Sequence, residues 1–141
     1  AEAVVRHCMP DKSRNTLRAL EYSPLRGNDS IREATVQVGD REIHLAVVHG
    51  LIHAQELLKE IDAGNAYYDL IEVMTCPGGC VGGAGQPYGL KQKKQERTAG
   101  LYAADRSAPF KRAEYNPVVT SMMDAYTPDQ RHDLLHVDYT K

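Results

Sequence analysis

Five of the eight residues from 78 to 85 are glycine, and cysteines stand just before and inside that run, in Cys76-Pro77-Gly78-Gly79-Cys80-Val81-Gly82-Gly83-Ala84-Gly85. No helix or strand tolerates glycine at that density, because each glycine loses more conformational freedom on ordering than any other residue. The stretch must be a loop, and a mere turn would not require so many glycines. Glycine also lets a backbone approach a bulky inorganic group with no Cβ in the way. Thiolates are the usual ligands of iron–sulfur clusters. Paired thiols in such a loop look like half of a cluster cradle.

The residues leading into the loop define an α/β fold. Ala34, Val36 and Val38 alternate with polar residues, Gly39-Asp40 makes a two-residue turn, and Ile43, Leu45 and Val47 follow. This pattern predicts a β-hairpin with a half-buried face. Leu51, Ala54, Leu57, Leu58 and Ile61 recur with a helical period over 51–62, closed by Ala63-Gly64-Asn65. Residues 67–73 form the next strand. Strand, helix, strand makes a βαβ unit, so strands 43–48 and 68–73 are expected to be parallel. The cysteine loop then lies at the carboxyl end of a parallel strand, the usual place for sites in such sheets.

Elsewhere the signals are thinner. Residues 1–9 have the phase of a helix tail ended by Pro10, residues 16–22 suggest a strand, and Gly27-Asn28-Asp29 punctuates the chain. Residues 91–97 form a charged helical stretch. Asn116 and Thr127, each followed by proline, are N-cap candidates for helices over about 116–126 and 127–138. The expected architecture is a β-hairpin plus a βαβ unit, with a short helical C-terminal tail packed on it.

A net charge of −2 with no long run of one sign gives no sign of binding nucleic acid or an anionic membrane. No apolar stretch approaches the roughly 18 residues of a spanning helix, and no signal peptide is recognisable at the start. Three cysteines, two of them four apart, do not suggest a disulfide framework and fit a reducing compartment. The first residue is not Met, and the helical phase there has no N-cap, as in an excised or processed chain.

Other readings of the loop fail on spacing. A phosphate-binding P-loop ends in Gly-Lys-Ser/Thr, and a dinucleotide fingerprint counted from Gly83 and Gly85 puts Tyr88 at its third glycine. Structural zinc and redox dithiols favour C-x-x-C, one residue tighter than Cys76 and Cys80. His132-Asp133-Leu134-Leu135-His136 shares the i, i+4 histidines of a zinc helix, but Asp replaces the Glu and no third ligand is evident, so packing is the simpler reading. His49, at a strand end, either faces a site or caps the next helix. His7, His44 and His53 have no supporting constellation, and Cys8 reads as a small buried hydrophobe. Met74 sits two residues before Cys76, on the same side if the strand continues.

Residues 72–87, Glu-Val-Met-Thr-Cys-Pro-Gly-Gly-Cys-Val-Gly-Gly-Ala-Gly-Gln-Pro, closely resemble the third signature of the iron-only (FeFe) hydrogenases, E-x-M-A-C-P-G-G-C-x-x-G-G-G-Q-P. Thr75 and Ala84 are the departures. Residues 46–51 and the hairpin before them are similar to that family's strand–helix lead-in. Ala104-Asp105-Arg106, Asn116-Pro117-Val118 and residues 132–136 resemble its small-subunit-like tail.

The resemblance implies an H-cluster, a 4Fe-4S cubane joined to a two-iron centre. Cys76 would ligate the cubane. Cys80 would ligate the cubane and bridge to the two-iron centre, against which Met74 would pack. Gly78, Gly79, Gly82 and Gly83 would shape the cradle. The implied chemistry is reversible H₂ oxidation and proton reduction.

The family's T-S-C-C-P and M-P-C-x-x-K signatures have no counterpart, since His7-Cys8-Met9-Pro10 runs in the wrong order. Ferredoxin-type cysteine runs are missing too. The expectation is therefore a C-terminal piece: residues 1–88 from the H-cluster domain of the large subunit and 89–141 as the helical tail. Its partners would be the remaining N-terminal part of that domain and a ferredoxin-like or other electron carrier. The isolated chain would be inactive, its H-cluster absent or incomplete, and its location cytoplasmic. Two competing readings are an iron–sulfur assembly or scaffold relative sharing the motif, and an inactive apo module.

Overall fold

The strand β2 (Arg41–His49) is buried on both faces from Leu45 onward, and the first part of the molecule is built around it. The computed structural model describes residues 1–11, 13–27 and 29–139; Asn28, expected within a turn, lies outside them. β1 (Ile31–Val38) pairs antiparallel with β2 across the Gly39-Asp40 turn, with Val38 opposite Arg41. β3 (Leu70–Met74) pairs parallel with the other edge of β2, Leu45 opposite Leu70 and His49 opposite Met74. The helix α3 (Leu51–Asp62) makes the crossover. Hairpin and βαβ unit are both as the hydrophobic periods predict, and the sheet order is β1-β2-β3.

Alternation along β2 assigns its two faces. Leu45 and Val47 join Val5, Met9, Leu17, Leu20 and Leu25 in one core cluster. Ala46 and Val48 point the other way and pack with Leu57 of α3. Full burial of such a Val or Leu side chain contributes roughly 1.5–3 kcal/mol, which fixes the register and therefore where the strand ends fall.

Three expectations need correction. Residues 16–22 are not a strand: α2 (Arg14–Ala19) runs into a 3₁₀ turn at Leu20–Tyr22. Ser13 caps it by accepting from Thr16 N at 3.3 Å, and Leu17 and Leu20, one turn apart, enter the core. Cys8 is exposed rather than buried, because α1 (Glu2–Cys8) and its C-cap turn the row Ala1, Val5, Met9 to the core. β3 begins at Leu70, not at residue 67. The Asp69 carboxylate accepts from His44 N at 2.8 Å, taking the ladder position a backbone carbonyl would otherwise hold.

Two compact units are present, Ala1–Ala108 and Pro109–Lys141. The charged stretch after residue 90 is α4 (Lys91–Ser107), which belongs to the first unit. The second unit holds α5 (Pro117–Asp124) and α6 (Pro128–Leu135). Asn116 accepts from Val118 N, and Thr127 forms a reciprocal capping box with Gln130, so both predicted N-caps hold. Both helices end earlier than the sequence suggests. Thr127 must be extended to cap α6, which stops α5, and His136 is itself extended at φ −120°.

Candidate functional site

β3 stops at Met74, whose carbonyl accepts from Gly50 N at 2.7 Å. The chain then coils back on itself twice. Gly79 N donates to Cys76 O at 2.9 Å, and a 3₁₀ turn over Cys80–Gly82 follows, with Gly82 N bound to Gly79 O at 3.0 Å. Because the strand ends before Cys76, alternation does not carry Cys76 to the side of Met74. Both loop cysteines are free thiols, Cys76 half-buried and Cys80 exposed.

Gly79 is where the loop requires glycine. Its φ is +74°, and a Cβ there would meet Met74 Sδ at 2.9 Å and His49 Nε2 at 3.3 Å. Gly82 is held by proximity alone, since a Cβ would lie 2.6 Å from Pro77 O. At Gly83 a Cβ would lie 3.3 Å from Cys76 Sγ. From α4, Arg97 donates to Val81 O at 3.2 Å and Pro87 O at 2.5 Å, tying the middle of the loop and its exit to one helix.

Beside the loop lies a cavity of about 420 Å³. Met74, Gly78, Gly79 and Cys80 line it together, whereas Cys76, Gly82 and Gly83 do not. The sheet contributes Arg32, Val47, His49 and Glu72, and α4 contributes Tyr102 and Asp105. None of Arg32, Glu72, Tyr102 or Asp105 stood out as a site residue in the sequence. One signal was available: extending the Ala34, Val36, Val38 alternation backward puts Arg32 on the inward face.

His49 is buried, and its Nε2 lies 2.7 Å from Arg32 Nη2. A guanidinium only donates, so Nε2 accepts and the proton sits on Nδ1. Burial first, and the Arg32 charge second, lower the His49 pKa, against the opposing pull of Glu72. The imidazole is therefore neutral at pH 7.

Farther along the wall, Arg6 and Arg26 share the carboxylates of Glu2 and Asp105, with Arg26 Nη2 at 2.7 Å from Glu2 and 2.5 Å from Asp105. Burial alone would raise the Asp105 pKa, but hydrogen bonds from Arg6 and Arg26 outweigh it and hold it at about 2, below the ordinary 3.8. A carboxylate depressed in the folded state adds stability above its unfolded pKa and loses it as pH falls through the folded one. The urea midpoint should therefore fall between about pH 4 and pH 2, and the gap between wild type and Asp105→Asn should close over that window. A gap constant from pH 6 to pH 2 would refute this.

Two thiols fit half of the ligand set of a four-iron cluster, which takes four. Among the described residues no group of three or more His, Cys, Asp or Glu side chains converges. His132 and His136 stack at 4.6 Å between ring centroids. His53 bonds Glu56 at 3.0 Å, and His44 on β2 bonds Thr35 on β1 at 3.2 Å. Neither His53 nor His44 lines the cavity beside the loop. No helix among the described residues is long and apolar enough to cross a membrane.

The family model described as the iron only hydrogenase large subunit, C-terminal domain, matches residues 1–84, and that of the iron hydrogenase small subunit matches 91–141. HndD of Solidesulfovibrio fructosivorans, an NADP-reducing hydrogenase subunit, is 38% identical over 99% of this chain and 25% of its own length. The periplasmic Fe hydrogenase large subunit of Nitratidesulfovibrio vulgaris is 42% identical over 59% of this chain and 20% of its own. A probable cytosolic Fe-S cluster assembly factor of Culex quinquefasciatus is 33% identical over 85% of this chain and 26% of its own. Among solved structures, FeFe-hydrogenase HydA1 from Chlamydomonas reinhardtii superposes with a TM-score of 0.63 at 30% identity, covering 83% of this chain and 38% of that one. The chain thus spans about a quarter of the length of these curated relatives.

Proposed function

Since this chain belongs to the iron-only hydrogenase family, we propose that it supplies two of the cysteine ligands of an H-cluster in a hydrogenase, Cys76 to the cubane and Cys80 to the cubane and the bridge. The observation that carries this is the pair of free thiols on a self-coiled glycine loop at the carboxyl end of β3. When bound, the cluster supplies the redox chemistry that interconverts H₂ with protons and electrons. This chain's residues orient and shelter it. Gly78 and Gly79 keep side chains off the cavity, Gly82 and Gly83 let the loop coil closely against Pro77 and Cys76, Met74 offers a thioether beside Cys80, and α4 clamps the loop through Arg97.

The remaining cubane ligands come from the N-terminal part of the H-cluster domain, which is this chain's first partner. The isolated chain is then inactive. Electrons arrive from a ferredoxin-like or other carrier. The passage from one family model to the other between residues 84 and 91 supports a boundary near residue 88. The match to HndD runs through the tail, whereas the match to the periplasmic large subunit covers 85 residues. That difference supports a single-chain, cytoplasmic form.

A second reading, an iron–sulfur assembly factor, is favoured by the relatives bearing that name. Loading this chain with iron and sulfide, and isolating its full-length parent from a host that also installs the two-iron centre, followed by EPR and an H₂ assay, separates the readings. The hydrogenase reading expects a cubane signal and H₂ turnover from the matured parent and neither from the isolated chain. A cubane signal without turnover in the matured parent points to the assembly reading. Robust H₂ evolution by this chain alone overturns the fragment reading.

A further inference from the structure

Arg32 is 6% exposed, yet it forms no ion pair among the described residues. Its guanidinium donates to Gly27 O at 2.8 Å, to the Tyr102 hydroxyl at 3.1 Å and to His49 Nε2 at 2.7 Å, and its Nε has no partner. Every acceptor is neutral. No carboxylate around the cavity bonds the Arg32 guanidinium. Glu72 faces the same side of the sheet but is separated from Arg32 by Val47 in the cross-strand row. Glu2 and Asp105 are engaged by Arg6 and Arg26.

A permanent cation buried without a carboxylate is costly unless another negative charge compensates it. The arrangement around it shows where that charge would sit. His49 is 4% exposed, and the same Nε2 that accepts from Arg32 is 3.3 Å from the position of a Cβ on Gly79. Cys80 is the next residue, and Arg32, His49, Gly79 and Cys80 line one cavity.

We propose that Arg32 is the fixed counter-charge of the cluster held at this loop, a positioning residue that acts through His49 and stabilises the cluster's reduced form. This rests on the reading of Cys76 and Cys80 as ligands. Thiolate ligands give the site net negative charge, and a one-electron reduction adds one more. A cation bonded to a neutral imidazole beside the loop, in a low-dielectric wall, lowers the cost of that addition. Replacing it with a neutral side chain therefore lowers the reduction potential. A substitution that keeps the charge does not.

The test is an EPR-monitored redox titration of the cubane, with dithionite as reductant, in the full-length parent enzyme as wild type, Arg32→Gln and Arg32→Lys. Arg32→Gln should move the oxidised-to-reduced ratio about tenfold toward oxidised at a fixed potential, equivalent to 59 mV for one electron. Arg32→Lys should stay within about threefold of wild type. A cubane present in all three with an unchanged ratio in Arg32→Gln overturns the proposal while leaving the ligand reading intact. No cubane in wild type overturns the ligand reading, and the proposal falls with it. Thermal melts of the cluster-free parents give an independent readout. Uncompensated, the buried cation gives no net stability there, so Arg32→Gln should melt no lower than wild type. If Arg32→Gln melts well below it or does not fold, Arg32 is a structural donor to Gly27 and Tyr102, and the proposal is wrong.

Discussion

Cys80→Ala in the parent hydrogenase should lower H₂ turnover by more than about 100-fold, since removal of even an outer-shell partner of a metal site costs 10–100-fold. The expected cause is lost ligation, not unfolding. Cys80 is exposed, makes no packing contribution, and should change stability by no more than about 0.5 kcal/mol. Melting curves of wild type and variant should therefore overlay while iron per chain falls. Cys76→Ala is the comparison. Under the proposed roles it removes a ligand of the cubane only, whereas Cys80→Ala also removes the bridge, so Cys80→Ala should leave less iron bound. Cys8→Ala is the control, because that thiol lies exposed on α1 and outside the cavity lining. Full turnover in Cys80→Ala would eliminate the bridging role, and equal losses in Cys8→Ala would point to a general thiol effect.

Legibility in the sequence followed the range of the physics. The hairpin, α3 and β3 rest on periodicities of two and 3.6, which side chains state directly, and the caps at Asn116 and Thr127 are local hydrogen bonds between near neighbours. The segment before the sheet was harder. Residues 16–22 carry only two core leucines, and its helix is set by a Ser13 cap and by tertiary burial of Leu17 and Leu20. The same division holds at the candidate site. Cys76, Cys80 and the glycines announce themselves within one loop. The surrounding charge does not, because Arg32 meets Tyr102 across 70 residues and Arg26 meets Asp105 across 79. Arg32 left a trace as a charge at an inward position of an alternating strand, and Glu72 and Asp105 only as members of the stretches that carry the family resemblance.

Gly79→Ala should destabilise the fold by about 3 kcal/mol, because positive-φ strain of 1–3 kcal/mol adds to overpacking of similar size. The added methyl would press on Met74 Sδ at 2.9 Å and His49 Nε2 at 3.3 Å. Met74 can turn its flexible end aside, but His49 is held at that same Nε2 by Arg32. Gly85→Ala separates the two contributions. Its φ is +88°, yet nothing lies within 4 Å of the added Cβ, so it should cost only the backbone strain, about 1 kcal/mol. Urea titrations of both variants measure the difference directly. The larger loss at Gly79 should come with a lower cubane yield on reconstitution of the parent, because the turn that presents Cys80 hangs on Gly79 N donating to Cys76 O. Equal costs at the two glycines would mean that the wall of Met74 and His49 yields freely, and that the loop is shaped by its own backbone rather than by the sheet beneath it.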